Sequence, residues 1–360
     1  MDRKEARMSS RVVTGSRWSI AVAVLLSALA VSLSHAPRAS AAWPGRDGRV
    51  FFVYGREEGG EGTTFAPQGI ASMVARQPAT LRMLTDDPGD RDPQLSPDGR
   101  LVVFSRNLDA AGGERRAIFV MNTAGGGVRR LTEPPALASG QDREPSFARS
   151  GRRVLFAREE SLAGHREQHI FSVGLDGSGL RQLTSGVNWD AGPAASPKGK
   201  ILAFVRRPGT VEASGLVAYG KQHLYTMRVN GTAIKDETPR LDWNHFASEP
   251  DFSPNGRLIA FAAGGPAQIW DVRPNGTGLA YVSRLRCCSP AFLSPAFSPD
   301  GRWLLATRHR TEGAQIVRWA ATPAQLSGHS AKHPETLAGA ELPGESPAWQ
   351  PRPPVRPGSG

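Results

Sequence analysis

A fourteen-residue pattern recurs along this chain, and its spacing limits what the chain can fold into. Five segments align: PQLSPDGRLVVFSR from Pro93, PSFARSGRRVLFAR from Pro145, PAASPKGKILAFVR from Pro193, PDFSPNGRLIAFAA from Pro250 and PAFSPDGRWLLATR from Pro295. A sixth, truncated copy, GRDGRVFFVYGR, begins at Gly45. The turn glycines Gly48, Gly99, Gly151, Gly199, Gly256 and Gly301 are separated by 51, 52, 48, 57 and 45 residues. Self-similarity at such a period marks an array of stacked supersecondary units.

Each unit carries the chemistry of a four-stranded antiparallel blade. Pro-x-Phe-Ser-Pro is a short first strand, and Asp98-Gly99 or Asn255-Gly256 supplies a tight turn that tolerates positive φ. An apolar strand such as Leu101 to Phe104 follows, then a third strand such as Ala117 to Met121. A second turn comes next, Asp176-Gly177, Asn230-Gly231 or Asn275-Gly276, and the fourth strand ends near Arg130-Leu131-Thr132 or its equivalents. The expected fold is therefore all-β: a six-bladed β-propeller of four-stranded antiparallel blades.

The two chain ends complement one another. The first unit lacks its Pro-x-Phe-Ser-Pro strand, while Pro347-Ala348-Trp349-Gln350-Pro351 is a spare first strand near the C-terminus. Pairing the two closes the ring and removes two exposed sheet edges. Phe147, Phe252, Phe297 and Trp349 on first strands, with Phe104, Phe156, Phe204 and Phe261 on second strands, are expected to hold blades face to face. At roughly 1.5 to 3 kcal/mol for each buried large side chain, these layers outweigh surface ion pairs, worth about 0 to 1 kcal/mol. The arginines are expected to lie mostly in solvent.

The N-terminus has the pattern of an export signal. Arg3, Lys4, Arg7, Arg11 and Arg17 precede an apolar run from Ser19 to Leu33, too short for a comfortable membrane span, and Ala39-Ser40-Ala41 offers a cleavage site. The expected organisation is a signal peptide over 1–41, the propeller over 42–351 and a Pro/Gly tail over 352–360. The expected location is the periplasm or cell envelope, or the secreted space, with no membrane span after cleavage. Of the 44 Lys and Arg and 33 Asp and Glu, residues 1–41 hold six and two, so the net charge drops from +11 to +7. The cations are scattered singly, which argues against nucleic acid as a partner. Cys287 and Cys288 are adjacent; a bridge between them would be strained, and two free thiols in a loop are expected.

At these motifs the chain resembles the TolB-type, WD40-like propeller family, over about Gly45 to Pro351. The family's repeat reads Pro-x-Phe/Trp-Ser-Pro-Asp-Gly, then an Ile-Ala-Phe-like strand, then a strand ending in Arg-x-Leu-Thr. The resemblance implies a propeller that binds proteins outside the cytoplasm, although members also form parts of prolyl peptidases. Two departures stand out. The α/β domain that precedes the TolB propeller is not matched, and no Gly-x-Ser-x-Gly nucleophile elbow occurs.

The loops leading into the first strands place candidate ligand-binding residues at one mouth of the central channel: Asp92, Arg143, Glu144, Trp189, Asp190, Trp243, His245 and Glu249. Acidic residues recur just before the strand proline, so a ring of carboxylates with arginines between them would accept a basic or mixed-charge peptide, with Trp189 and Trp243 as anchors. The same acids could instead cap turns as Asx motifs, and the residues alone leave both readings open. Asp86, Asp87, Asp90 and Asp92 match no calcium loop, and His329 and His333 lie in a Pro/Gly/Ser-rich stretch, so no metal and no cofactor is expected. Asn230-Gly231-Thr232 and Asn275-Gly276-Thr277 match a glycosylation sequon but fall where the repeat needs turns.

The expectation is a non-catalytic, monomeric binding or scaffold module with a protein or peptide partner of the cell envelope. The alternative is a propeller-type carbohydrate lyase or hydrolase acting in the channel, for which His245 is the one histidine in a mouth loop.

Overall fold

In a computed structural model of the chain, the described residues are 43–58, 64–109, 115–135, 140–162, 165–214, 216–241, 247–264, 267–283, 290–310, 313–321, 334–337 and 343–352. The strands form four four-stranded sheets and one of nine strands. Arg91–Leu95 begins a sheet that continues through Leu101–Asn107, Arg116–Asn122 and Arg129–Arg130. Ala247–Phe252 and Ala291–Phe297 begin two more. The fold is an all-β propeller.

The nine-stranded sheet departs from the expected set of separate four-stranded blades. It holds two repeat units, one starting at Gln141–Phe147 and one at Asn188–Ala195. They count as one sheet because a parallel bridge pairs Gln168 with Trp189. The second unit also gains a short strand, Val217–Tyr219, on the extended Ile201–Val211.

The conserved-looking letters of the repeat each perform a bonding task. In Ser-Pro-Asp-Gly, the Ser96 hydroxyl donates to Asp98 Oδ1 at 2.6 Å and accepts from Leu101 N at 2.9 Å, while Gly99 turns at φ 69°. Ser253 with Asn255, and Ser298 with Asp300, repeat the arrangement. The threonine that ends Arg-Leu-Thr returns its hydroxyl to the third strand: Thr85, Thr132 and Thr184 accept from Ile70, Ile118 and Ile170 N, each at 2.9 Å. The second-turn glycine lies against the preceding unit, and a Cβ on Gly231 would stand 2.5 Å from the Leu183 carbonyl oxygen. Asn230 Oδ1 accepts from both Thr232 N and Thr232 Oγ1, so this sequon serves as a turn.

Packing runs between sheets. All eight aromatic residues expected to hold the blades are buried, from Phe104, Phe156, Phe204, Phe252 and Phe261 at 0% exposure to Trp349 at 7%. One cluster joins Phe51 and Ile70 to Leu95, Phe104 and Ala348; another joins Val50, Phe52 and Trp349 to Ala296, Leu305 and Ile316.

Not all of the arginines are in solvent. Arg106, Arg158 and Arg206, at the end of each Phe-x-Arg, turn inward and meet Asp90, Asp142 and Asp190 through paired hydrogen bonds of 2.6 to 2.8 Å. Each guanidinium lies 5.3 to 5.7 Å from the centres of two rings: Phe104 and Phe119, Phe156 and Phe171, Phe204 and Tyr225. A fork-shaped cation can satisfy a buried carboxylate and stack on aromatic faces at once, which makes burial of the pair tolerable.

The C-terminal strand Gly344–Arg352 pairs antiparallel with Arg46–Glu58, as the spare first strand requires. Trp349 and Ala348 plug into the two clusters that flank this sheet. Deleting residues 346–360 should therefore expose both clusters and a sheet edge, giving an unfolded or oligomeric product. Sedimentation and thermal melting check this; a monomer with an unchanged Tm would contradict it.

Candidate functional site

Six strands converge on one cavity: Arg91–Leu95, Gln141–Phe147, Asn188–Ala195, Ala247–Phe252, Ala291–Phe297 and Gly344–Arg352 each contribute to its wall. The cavity encloses about 980 Å³, its open mouth included. The residue before the strand proline is left-handed in every case, with φ 55° at Asp92, 51° at Glu144, 58° at Gly192, 51° at Glu249, 52° at Ser294 and 50° at Ser346. Pairing with the second strand slips at the same point in all six, for example between Arg143 and Ser146. A bulge of this kind re-aims a side chain, and here all six bulge residues line the cavity.

A second set lies two residues further along each strand: Gln94, Ser146, Ala194, Asp251, Ala296 and Ala348. Trp43, from the segment ahead of the first strand, completes the lining with its neighbours. Four carboxylates face the cavity, Asp92, Glu144, Glu249 and Asp251, and no Lys, Arg or His lines it among the described residues.

The carboxylates also tie neighbouring strands. Glu144 Oε2 accepts from Gly192 N at 2.6 Å. Glu249 Oε2 accepts from Ser294 N at 2.6 Å and from Ser294 Oγ at 2.9 Å. Asp251 Oδ2 accepts from Phe297 N at 2.8 Å. Burial comes first in raising the protonation equilibria of these groups. Glu249 is pushed up to about 7, with Asp92 and Glu144 adding like-charge repulsion. Asp251 also reaches about 7 through burial, and Glu144 is raised by burial and by Asp92.

Asp92, Glu144 and Glu249 are thus brought to one cavity by the fold, without the arginines expected between them among the described lining residues. Asp190 goes elsewhere: its carboxylate is fully buried and bound by Arg206. Arg143 is half-buried and donates to Gln141 Oε1 and to Glu159 Oε2, outside the cavity lining. Trp189 is half-buried in its strand, opposite Arg207, and is not part of the lining either. Trp243 and His245, like Cys287, Cys288, His329 and His333, lie outside the described residues. Asp90 holds Arg106, and no group of three or more His, Cys, Asp or Glu among the described residues is placed to hold a metal ion.

Two lining residues carry little signal in the sequence. Asp251 occupies the variable position of Pro-x-Phe, where the other units carry Gln, Ser or Ala, and only comparison across copies marks it as unusual. Trp43 precedes the first repeat altogether.

These features define the chain as a β-propeller with an anionic central cavity. No family model matches it. A TolB homologue of Chlorobium luteolum is 28% identical over 170 residues, covering 46% of this chain and 35% of the relative. One from Chlorobium chlorochromatii is 29% identical over 220 residues, covering 54% and 46%. The chain thus matches less than half the length of each of these curated relatives. TolB of Acinetobacter baumannii has a similar fold, with a TM-score of 0.58 at 19% identity over 95% of this chain and 74% of that one. Hydrazine synthase of Kuenenia stuttgartiensis also shares the fold, with a TM-score of 0.63 at 14% identity over 86% and 48%. In its repeats and its fold the chain is similar to TolB-type β-propellers.

The raised carboxylates carry a sign for stability. Folded-state values above the ordinary 4.5 of Glu249 and 3.8 of Asp251 mean that the folded chain holds these protons more tightly than the unfolded one. Their contribution is therefore most favourable near pH 4 and is lost as pH rises to about 7. Glu249→Gln keeps an oxygen for Ser294 N and removes the buried charge. Thermal melting at pH 8 should show a gain on the order of 1 kcal/mol, or about 2 °C, shrinking towards zero near pH 4. An equal shift at both pH values would refute this assignment.

Proposed function

We propose that the chain is an exported, six-bladed propeller that binds a protein or peptide partner at the mouth of its central channel, as a non-catalytic module of the cell envelope or secreted space. Support for six blades comes from the nine-stranded sheet's two repeat units, counted separately, and support for ring closure from the pairing of Gly344–Arg352 with Arg46–Glu58. Residues 1–41 act as the export signal and 42–352 form the propeller, Arg352 being the last residue of the closing strand rather than the first of the tail. The TolB names of the curated relatives support a protein partner over a small substrate.

The observation that carries this reading is the cavity wall itself. Carboxylates from three different blades face a common space with no lining cation among the described residues to neutralise them, so part of their charge remains available to a ligand. Lyase or hydrolase chemistry needs nucleophiles, acids and bases in mutual contact. Among the described residues the wall offers carboxylates, serine, amide and indole, with no histidine.

In-cell cross-linking and pull-down of the tagged protein tests the proposal. The control carries Asp92, Glu144 and Glu249 changed to Lys, and a second carries Asn, Gln and Gln at the same positions to preserve the strand-to-strand bonds. Recovery of an envelope or secreted protein by the native chain and its loss from both folded variants is the expected result. Equal recovery by all three would place binding elsewhere, and recovery by none would remove the partner.

A further inference from the structure

The cavity has a floor as well as an acidic wall. Trp43 lies three residues before Arg46–Glu58, the second strand of the sheet that Gly344–Arg352 completes. Its side chain nevertheless packs against two clusters of other sheets, one containing Phe147 and Val154 and the other Ala195 and Leu202. It also lines the cavity. Reaching those clusters from the first sheet takes it across the channel. Phe147 and Ala195 end their strands, three residues beyond Glu144 and Gly192, which places the indole about 10 Å below the acidic bulges.

The wall lacks an internal counter-ion. Among the described residues, a chain of net charge +11 presents four carboxylates and no lining cation to this one space. Trp349, buried to 7% exposure in the same wall, keeps its indole Nε1 without an acceptor, a second polar group left for a ligand to complete. The carboxylates come from three strands, Glu249 and Asp251 sharing one, and among the described residues they are not grouped to hold a metal ion. An organic cation on an extended arm suits this spacing better than a compact ion does.

We propose that the cavity is a one-ended well for a lysine or arginine side chain of an extended peptide, which passes the carboxylates of Asp92, Glu144, Glu249 and Asp251 and stops against the indole of Trp43. Its methylenes cover the apolar lower wall at Ala194, Ala296 and Ala348, and its charge meets carboxylates above and an aromatic face below. Trp43 is a specificity residue for the binding proposed above, and the inference rests on that reading.

Fluorescence polarisation with four labelled, terminally blocked nine-residue Gly/Ser peptides tests it, their central residue being Lys, Arg, norleucine or Glu. The Lys and Arg peptides should bind at least about tenfold more tightly than the norleucine peptide, which matches lysine in shape without its charge. Glu249→Gln with Asp251→Asn should weaken the Lys and Arg peptides about tenfold and leave norleucine unchanged. Trp43→Ala, confirmed folded by melting, should weaken them similarly, with Trp43→Phe restoring part of the affinity. Equal binding of Lys and norleucine peptides, no binding of either cationic peptide, or indifference to folded Trp43→Ala would overturn the well. The outcome is separable from the pull-down. A captured partner with no charge selectivity refutes the well and leaves partner binding standing; charge selectivity without capture supports the well and removes the protein partner.

Discussion

The inner strand of each unit bends at the residue before its proline, and the cavity depends on that bend. L-residues seldom adopt φ near 50°, yet Asp92, Glu144, Glu249, Ser294 and Ser346 all do, with glycine only at position 192. Each such residue costs on the order of 1 kcal/mol or more, and the surrounding bonds hold it in place. Glu144 is fixed by Gly192 N, Glu249 by Ser294, and Ser346 N donates to Thr307 Oγ1. The slip in pairing aims the bulge residue into the cavity, while the next apolar positions, Leu95, Phe147, Phe252, Phe297 and Trp349, pack between sheets. One local distortion, repeated, therefore separates a polar channel from an apolar core along strands only five to nine residues long.

Much of this was legible in the sequence because the repeat is a bonding pattern. The serine and aspartate of Ser-Pro-Asp-Gly, the terminal threonine and the inner aromatic residues all do local work that recurs in register, so aligned copies reveal them. The acids before proline were legible for the same reason. Other features were hidden by the rules that make single residues readable. The arginines of Phe-x-Arg look like solvent residues until an aspartate sixteen positions earlier meets them within the same sheet; Asp190, counted among the mouth acids, is consumed this way. Trp43 has no partner nearby in sequence, and its neighbours come from units that begin about a hundred residues later.

Charge is divided sharply within the molecule. The cations of three units are drawn into sheets, where each is neutralised by its aspartate and stacked on rings, and among the described residues the other basic side chains lie off the cavity wall. The wall keeps carboxylates alone. Burial then opposes ionisation, joined at Glu249 by the nearby Asp92 and Glu144, and it pushes both Glu249 and Asp251 up to about 7. Such a site gains most from a cation that arrives with a partner, since the ligand supplies what the wall omits.

The most direct test of this account is the titration of the side-chain carboxyl carbons of selectively ¹³C-labelled protein by NMR, with Glu249→Gln assigning the resonance. The account predicts that Glu249 titrates near 7 and that its midpoint falls when Asp92 is changed to Asn, because burial and the nearby carboxylates hold its proton. A midpoint at the ordinary 4.5, unmoved by the Asp92 change, would show that the bulges do not bring these carboxylates into one enclosed space.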